Sequence, residues 1–419
     1  MVNIMTHITH TVVCAGCSLL CDDIEVDVEG ERISSVRNTC YMGVGRFVTK
    51  HEPIAENTAI GIAEAVKLLR KSKNPVIFGL DNSTSGAQKK GIELAEILGA
   101  TIDDSSSFCQ GPFVEAILNN RLPTCTLDEI RNRADVVVFW GADPQNSHPR
   151  HLSRFSYFPR GEQRQRGWEE DRDAIVIDVR HSDTAEICKN RFYQIPPRGD
   201  GEFIEALTKA IHGKISKTSF NFDIKRMMEL ANILKNAEFP VICVGLGYTY
   251  SASVEAMQSL VESLREFTQC HVMPMIGHYN MYGFNRELYS KTGTKSGEQE
   301  KTGFINRVSF KDGITHGNGY SFINSVKTAD CVLIIGSDPV SSLPHGCIPK
   351  DVDIITIDPH ETPTTRCSSV WIQSAISGVE CGGCAYRMDG VEVSFEKIVE
   401  RGFMSDEEIL IKILEGVRG

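Results

Sequence analysis

From residue 53 onward, the chain alternates between stretches with a helical period and short, almost wholly apolar runs. Glu56 to Lys71 has the helical period, the apolar run Pro75-Val-Ile-Phe-Gly-Leu80 follows it, and Gly86 to Leu98 returns to the helical period. Apolar runs of this length that are bounded by glycine are typical of strands buried on both faces. The alternation therefore predicts an α/β fold with parallel sheets covered by helices.

The first 50 residues follow a different pattern. Ile24 to Val28 alternates apolar and acidic residues, Gly30 begins a turn, and Arg32 to Val36 can return as the partner strand. We predict a small β-rich module in residues 10–50 that is built on this hairpin. The hairpin would bring the segments around Cys21 and Cys40 to the same end.

An internal repeat divides the rest of the chain. Ala134 to Pro149 aligns without a gap on Ala329 to Pro344, and each copy is an apolar run followed by Gly-x-Asp-Pro-x4-Pro. A second run ending in aspartate follows in each copy, at Asp178 and at Asp358, and the run Pro240-Val-Ile repeats the first predicted strand. The repeat predicts two related α/β units.

The composition excludes several classes of protein. A net charge of −11 argues against nucleic-acid binding, which needs a basic surface. The longest apolar runs, such as Val136 to Trp140, are far shorter than the roughly 20 residues of a membrane span. Because the N-terminus also lacks the pattern of an export signal, we expect a cytoplasmic protein. In that compartment, fourteen cysteines suggest metal ligands and buried thiols rather than disulfides.

Four cysteines near the N-terminus have the spacing of an iron–sulfur site. Cys14, Cys17 and Cys21 lie in one Cx2Cx3C segment, and Cys40 follows after a gap. Three cysteines on one loop with a remote fourth are typical of [4Fe-4S] ligation. A four-cysteine zinc site is the alternative, although zinc sites favour two paired CxxC motifs.

The two copies of the repeat point to nucleotide-like ligands. In open α/β sheets, ligands bind beyond the carboxyl ends of the strands, where glycine lets the backbone approach a phosphate and an aspartate can bind ribose or guanine. Two copies suggest two similar ligands. The alternative is that Gly-x-Asp-Pro only builds a tight turn, since both residues are common in turns.

Cys109 is a candidate metal ligand or nucleophile. It lies in the loop Phe-Cys109-Gln110-Gly-Pro, just before a predicted helix from Phe113 to Asn119. A helix N-terminus favours the thiolate form, which binds metals and attacks electrophiles. A lone cysteine is otherwise most often a small buried residue. The pair Cys381-Gly-Gly-Cys384 is interpreted as structural, with a redox pair as the alternative.

Residues 149–173 form an insertion that the second copy of the repeat lacks. It carries six arginines among aromatic residues: Arg150, Arg154, Arg160, Arg164, Arg166 and Arg172. The arginines could contact phosphate groups or a partner subunit. They could equally belong to a solvated loop in which Glu169, Glu170 and Asp171 offset their charge.

The arrangement resembles the molybdopterin oxidoreductases of the formate dehydrogenase type, and in detail the B subunits of formylmethanofuran dehydrogenase. The similarity spans nearly the whole chain and is specific in combination. The segments that carry it are Cys14 to Ile24, His148 to Arg154, Phe158 to Gly161, Asp178 to Ala185, Gly277 to Asn285 and Ala385 to Val391.

The resemblance implies a molybdopterin oxidoreductase fold with interleaved domains and no C-terminal β-barrel cap. It implies a [4Fe-4S] module in residues 1–50 and a C-terminal segment in residues 371–419. One α/β domain with a pterin dinucleotide site would combine residues 51–105 and 280–370. The second α/β domain, residues 106–279, would carry Cys109 and the second site.

The resemblance also implies the cofactors. Cys14, Cys17, Cys21 and Cys40 would hold one [4Fe-4S] cluster, and two molybdopterin guanine dinucleotides would hold tungsten or molybdenum, with Cys109 as protein ligand. Gln110 and His278 would join Cys109 at the catalytic site. The residues implied for the dinucleotide sites are Gly79, Gly141, Asp143, Pro144, Asp178, Arg180, Gly245, Gly277, Gly336, Asp338 and Asp358.

The implied reaction is the reversible two-electron reduction of CO2 to formate, the first step of archaeal methanogenesis from CO2. The implied partners are the other subunits of a formylmethanofuran dehydrogenase complex: the amidohydrolase or A-type one, which joins formate to methanofuran, the C-type one, the barrel or D-type one, and polyferredoxin-type ones. Ferredoxin or heterodisulfide reductase would be the electron donor. Neither nucleic acid nor a membrane is expected as a partner.

The sequence departs from the family pattern around the metal. The histidine expected after the metal-ligand cysteine is Gln110, the arginine expected at position 276 is Ile276, and the lysine that formate dehydrogenases place between cluster and pterin is Met42. Gln110 cannot titrate near neutral pH. Three interpretations follow: a catalytic chain in which His278 or an arginine of the insertion substitutes, another tungsten or molybdenum oxidoreductase, and a non-catalytic or electron-carrying paralogue.

Overall fold

A computed structural model of the chain describes residues 7–49, 51–53, 58–293 and 307–419. The chain divides into two compact units, the first formed by Met1–Gly111 with His278–Gly419 and the second by Pro112–Gly277. The first unit therefore takes in residues 1–50, 371–419 and Cys109. The boundary expected at residues 105 and 106 moves to Gly111, because the loop that carries Cys109 packs with the first unit.

Most strands are short and apolar, as the alternating pattern predicts. They are β1 His7–Val12, β2 Ile24–Glu29, β3 Arg32–Arg37, β4 Pro75–Gly79, β5 Thr101–Asp103, β6 Val136–Trp140, β7 Asp173–Asp178, β8 Phe192–Gln194, β9 Pro240–Val244, β10 His271–Pro274, β11 Val308–Ser309, β12 Thr315–His316, β13 Cys331–Ile335, β14 Asp353–Ile357, β15 Val370–Ile372, β16 Gly383–Tyr386 and β17 Glu392–Phe395.

Helices connect the strands and cover the sheets. They are α1 Tyr41–Val48, α2 Thr58–Lys71, α3 Ser85–Leu98, α4 Gly111–Leu118, α5 Leu127–Arg133, α6 Pro144–Ser147, α7 Asp183–Cys188, α8 Asp200–Ile211, α9 Ile224–Asn236, α10 Leu246–Thr249, α11 Val254–Arg265, α12 Met281–Thr292, α13 Phe322–Ser325, α14 Pro339–Ser342, α15 Pro363–Arg366 and α16 Asp406–Arg418. The predicted start of α2 at Glu56 lies outside the described residues.

The first unit is built on a seven-stranded sheet in the order β12-β11-β5-β4-β13-β14-β15. The five strands from β5 to β15 run parallel, while β11 and β12 extend the edge in antiparallel fashion. Every residue of β4 and β13 is buried because helices cover both faces. The carboxyl ends of five parallel strands therefore meet along one edge of the sheet.

The second unit is built on a five-stranded parallel sheet in the order β10-β9-β6-β7-β8. When the copies of the repeat are matched, this order equals β5-β4-β13-β14-β15 of the first unit. The predicted relation between two α/β units is thus confirmed in the strand order. The first two strands of one copy precede the second unit in the chain, and its other three strands follow it.

The N-terminal segment folds as a three-stranded antiparallel sheet, β1-β2-β3. The predicted hairpin is confirmed, and Gly30 makes its turn at φ +64°. The cysteine segment packs onto the C-terminal part of the same unit, where Ala15 and Leu20 contact a cluster that includes Tyr279, Ala385 and Phe395. None of the helices in the described segments is long and apolar enough to cross a membrane.

Candidate cofactor and catalytic site

The four N-terminal cysteines lie around one loop and the start of one helix. Cys14, Cys17 and Cys21 are buried and Cys40 is half-buried. The Cys14 N–H donates to the Cys21 carbonyl at 2.8 Å, which closes the loop on itself, and Leu20 adopts φ +42° inside it. Cys40 is the N-cap of α1, so its side chain lies at the positive end of that helix.

The thiols of this loop act on one another. Burial raises the pKa of Cys14 to about 12, and nearby Cys21 and Cys40 add to the effect, whereas the Gly16 N–H and Arg46 oppose it. Burial likewise raises the pKa of Cys17. Thiolates in this position need a positively charged ligand to compensate them. Within the described segments, no three His, Cys, Asp or Glu side chains form a site for a single metal ion.

Two glycines leave space beside the Cys14 sulfur. A Cβ at Gly43 would lie 3.1 Å from Cys14 Sγ and 2.0 Å from Thr39 Oγ1, and a Cβ at Gly16 would lie 3.2 Å from Cys14 Sγ. Gly45, two residues further along α1, has no atom near its Cβ position. Side chains are therefore excluded on the side of α1 that faces the thiols and tolerated on the other side.

Cys109 follows a short 3-10 helix, Ser105–Phe108, and precedes α4. Two charged residues hold this turn. Asp103 accepts hydrogen bonds from the Ser107 hydroxyl and from the Phe322 N–H, the latter at 2.7 Å. Arg307 donates from Nε to Ser107 Oγ at 3.0 Å and from Nη2 to the Ser107 carbonyl. The half-buried Cys109 is thus presented by a braced turn.

Sequence reasoning missed both bracing residues. Asp103 ends a strand, and its position was a usable signal because ligand and loop contacts collect at the carboxyl ends of parallel strands. Burial raises the pKa of Asp103 to about 7, with its hydrogen bonds and Arg307 opposing the rise. Arg307 lies in no motif, and only the fold brings it to Ser107.

Gln110 is fully buried, and neither polar atom of its amide has a hydrogen-bond partner within the described part of the chain. An unpaired buried amide costs about 1–3 kcal/mol. Native proteins rarely tolerate such groups unless a function or a further partner explains them. The amide therefore offers one donor and one acceptor to a group outside this chain.

His278 lies against a buried carboxylate. Its Nδ1 is 2.7 Å from Asp81 Oδ2 and 3.1 Å from Ser105 Oγ, and the Ser105 hydroxyl also donates to Asp81. Asp81 is completely buried, whereas the His278 side chain is 42% exposed. Burial lowers the pKa of His278, but the charge and hydrogen bond of Asp81 outweigh it, so the pKa is raised.

The Gly-x-Asp-Pro loops have the same geometry in each unit. Gly141 and Gly336 both adopt φ +57°, a left-handed conformation that suits glycine. Asp143 Oδ1 accepts from the N–H and hydroxyl of Thr184 at 3.2 and 2.6 Å, and Asp338 Oδ1 accepts from the same two groups of Thr364. These aspartates hold their own loops, with Pro144 as the first residue of the helix that follows Asp143.

The aspartates that end the second strand of each copy are placed alike. Asp178 accepts from the Arg180 N–H at 3.1 Å, and Asp358 accepts from the His360 N–H at 2.8 Å. Burial raises the pKa of both, in Asp358 to about 7. The Arg180 guanidinium pairs with Asp143 at 3.1 Å.

The remaining glycines differ in their surroundings. A Cβ at Gly79 would lie 2.2 Å from the Ile335 carbonyl, and a Cβ at Gly245 would lie 2.2 Å from the Gly141 carbonyl. Both therefore let two loops at a sheet edge approach closely. Gly277 has open space at its Cβ position.

Three arginines of the insertion are engaged within the second unit. Arg164 pairs with Glu238 at 2.6 Å, Arg166 with Asp171 at 3.0 Å, and Arg172 donates to the carbonyls of Phe155 and Arg131. These contacts favour the interpretation in which the insertion balances its own charge.

Two curated relatives are similar to the chain over nearly its whole length. The B subunit of the tungsten-containing formylmethanofuran dehydrogenase 2 of Methanocaldococcus jannaschii is 34% identical over 441 residues, covering 99% of each chain. The B subunit of the enzyme of the same name from Methanococcus maripaludis is also 34% identical, covering 97% of this chain and 98% of the relative. No family model matches the chain.

A solved structure shares the fold. A chain of the formyltransferase/hydrolase complex of Methylorubrum extorquens, crystallised with methylofuran, superposes with a TM-score of 0.68 at 20% identity. The match covers 87% of this chain and 97% of that chain.

Proposed function

Because the chain belongs to the family of formylmethanofuran dehydrogenase B subunits, we propose that it carries the site at which CO2 and formate are interconverted. The relatives are named as tungsten-containing, and formate would pass to a partner subunit for condensation with methanofuran. The observation that supports a cofactor beside Cys109 is the fully buried Gln110 amide, which finds no hydrogen-bond partner among the described residues.

The N-terminal cysteines fit a [4Fe-4S] cluster. They supply four thiols near one another, three of them buried, and Gly16 and Gly43 keep side chains away from the Cys14 sulfur. A cluster of positively charged iron would also offset the cost of burying thiolates. Cys14, Cys17, Cys21 and Cys40 would be its ligands, and the cluster would pass single electrons to or from polyferredoxin-type subunits.

The Cys109 loop fits a tungsten or molybdenum centre held by two molybdopterin guanine dinucleotides. When bound, that centre would supply two-electron chemistry that amino-acid side chains cannot. Cys109 would ligate the metal, and Gln110 would hydrogen-bond the cofactor with both ends of its amide. Asp103 and Arg307 would keep the turn rigid, because each is bonded to Ser107, two residues before Cys109.

The carboxyl edges of the two sheets would hold the dinucleotides, one in each unit. Gly141 and Gly336 let the backbone approach a phosphate, and Asp178 and Asp358 present partly or fully buried carboxylates at matching positions. Asp143 and Asp338 would act indirectly, because their Oδ1 atoms are bonded to threonines of their own loops.

Formate-dependent reduction of a viologen dye by the anaerobically purified complex tests this function. We expect turnover with the wild-type chain and a loss of several orders of magnitude in Cys109→Ala. Cys367→Ala, which removes an exposed thiol of the same unit, is the matched control and should keep full activity. A complex that binds its metals but never reduces dye with formate would contradict the proposal.

A further inference from the structure

Asp81, Ser105 and His278 form a three-residue cluster beside the turn that presents Cys109. The three side chains come from separate segments: the loop after β4, the turn itself, and the residue after Gly277. Ser105 lies four residues before Cys109, so the cluster shares a turn with the proposed metal ligand. The carboxylate is completely buried, and the imidazole is partly open to its surroundings.

The hydrogen-bond pattern decides which atom of His278 is available. Asp81 and Ser105 both contact Nδ1, and Ser105 directs its hydroxyl proton to Asp81. Nδ1 therefore carries a proton that points at the carboxylate, and Nε2 is the ring nitrogen left for another partner. The serine cannot act as a nucleophile activated by the histidine, because its proton is already donated to Asp81.

The burial of Asp81 favours a positive charge on the ring. Its Oδ1 has no hydrogen-bond partner among the described residues, and His278 is the cationic side chain within ion-pair distance of it there. A buried carboxylate without a positive partner is costly, so the pair is most stable when His278 is protonated. Asp103, Asp104 and Arg307 surround the same turn, but Asp81 is the charged group in contact with the ring.

We propose that Asp81 and Ser105 position His278 as an imidazolium whose Nε2–H binds the carboxylate of formate. The inference rests on the proposed function and names the group that recognises its small anionic substrate. It also accounts for the site's departures from the family pattern, since Gln110 and Ile276 supply no charge where a histidine and an arginine are expected. Asp81 is a positioning residue, and His278 is the group that touches the anion.

Histidine C2-hydrogen exchange, read by mass spectrometry across a pH series, measures the pKa of individual histidines in the intact complex. We expect the pKa of His278 to lie above the ordinary value of about 6.5 and to rise further when formate is added. In Asp81→Asn the pKa should fall below that of the wild type, and the response to formate should shrink. The exposed His345 reports on the method and should respond to neither change.

Steady-state kinetics provide the second readout. Loss of a charged hydrogen bond in His278→Gln should raise the KM for formate about tenfold, while His345→Gln leaves it unchanged. The inference is overturned if formate leaves the pKa of His278 unmoved, or if Asp81→Asn leaves that pKa at its wild-type value. Should Asp81→Asn fail to fold, an unchanged KM in His278→Gln overturns it instead. A formate response without turnover would contradict the proposed catalysis and support this contact.

Discussion

At the scale of single residues, the most informative feature is a contrast between two buried glutamines. Gln88 and Gln110 are both fully buried in the first unit. The Gln88 amide donates to the Leu80 and Asn280 carbonyls at 2.9 and 2.8 Å, whereas the Gln110 amide has no partner among the described residues. One amide therefore serves the fold of this chain, and the other is directed at something else.

This contrast makes a prediction with an internal control. Gln110→Leu should raise the free energy of unfolding of the cofactor-free chain by about 1–3 kcal/mol, because it removes an unpaired buried amide. Gln88→Leu should lower it by a similar amount, because two carbonyls lose their donor. Chemical denaturation of both variants measures the difference.

The loaded protein should respond in the opposite sense at position 110. Gln110→Leu should retain less guanine nucleotide per chain than the wild type after gel filtration, since the amide would no longer bind the cofactor. If Gln110→Leu destabilises the cofactor-free chain as much as Gln88→Leu does, the amide has a structural partner and its assignment to the cofactor is wrong.

At the scale of secondary-structure elements, α1 links the cysteine loop to the rest of the first unit. Cys40 caps its N-terminus, Gly43 faces Cys14, and the Arg46 guanidinium donates to the Ser377 carbonyl at 3.0 Å. Arg46 lies one helical turn after Met42 and is electrostatically coupled to Cys14. The helix thus brings a cap, a space and a positive charge to the four thiols.

Two glycines of this helix test whether its inner face encloses a cluster. Gly43→Ala should lower the iron content and the absorbance near 400 nm of the purified chain, because the new Cβ would collide with Thr39 and approach Cys14. Gly45→Ala should keep full iron content and stabilise the helix by up to about 1 kcal/mol, since nothing lies near its Cβ position. Equal iron in both variants would contradict this location of the cluster.

Sequence patterns predicted the elements well where local physics decides them. The hairpin around Gly30, the strand Val136–Trp140 and the helix from Asp406 all follow from period, turn residues and capping signals, and all are confirmed. The repeated Gly-x-Asp-Pro loops were also recognised, and their matching torsions bear out the repeat. These features depend on neighbours in the chain.

The contacts that cross the chain could not be predicted in this way. Asp81 meets His278 across 197 positions, and Arg307 meets Ser107 across 200. No local period encodes such pairs, because they arise only when distant strands end at one sheet edge. The domain boundary at Gly111 was missed for the same reason, since the packing of the Cys109 turn decides it.

At the scale of the whole molecule, the chain interleaves two related sheets. Strands β4 and β5 precede the second unit, and β13, β14 and β15 follow it, yet they pair as one parallel set. Each unit thereby owns a complete carboxyl edge with its own Gly-x-Asp-Pro loop. Two equivalent edges are what a pair of similar dinucleotides would require, and this supports one cofactor half per unit.

The central claim is that this fold holds a tungsten or molybdenum centre beside Cys109. Elemental analysis of the anaerobically purified complex by inductively coupled plasma mass spectrometry tests it most directly. The account predicts one tungsten or molybdenum atom for each copy of this chain, together with the iron of its cluster. Full iron content with neither tungsten nor molybdenum would contradict it and would leave an electron-carrying protein in place of an enzyme.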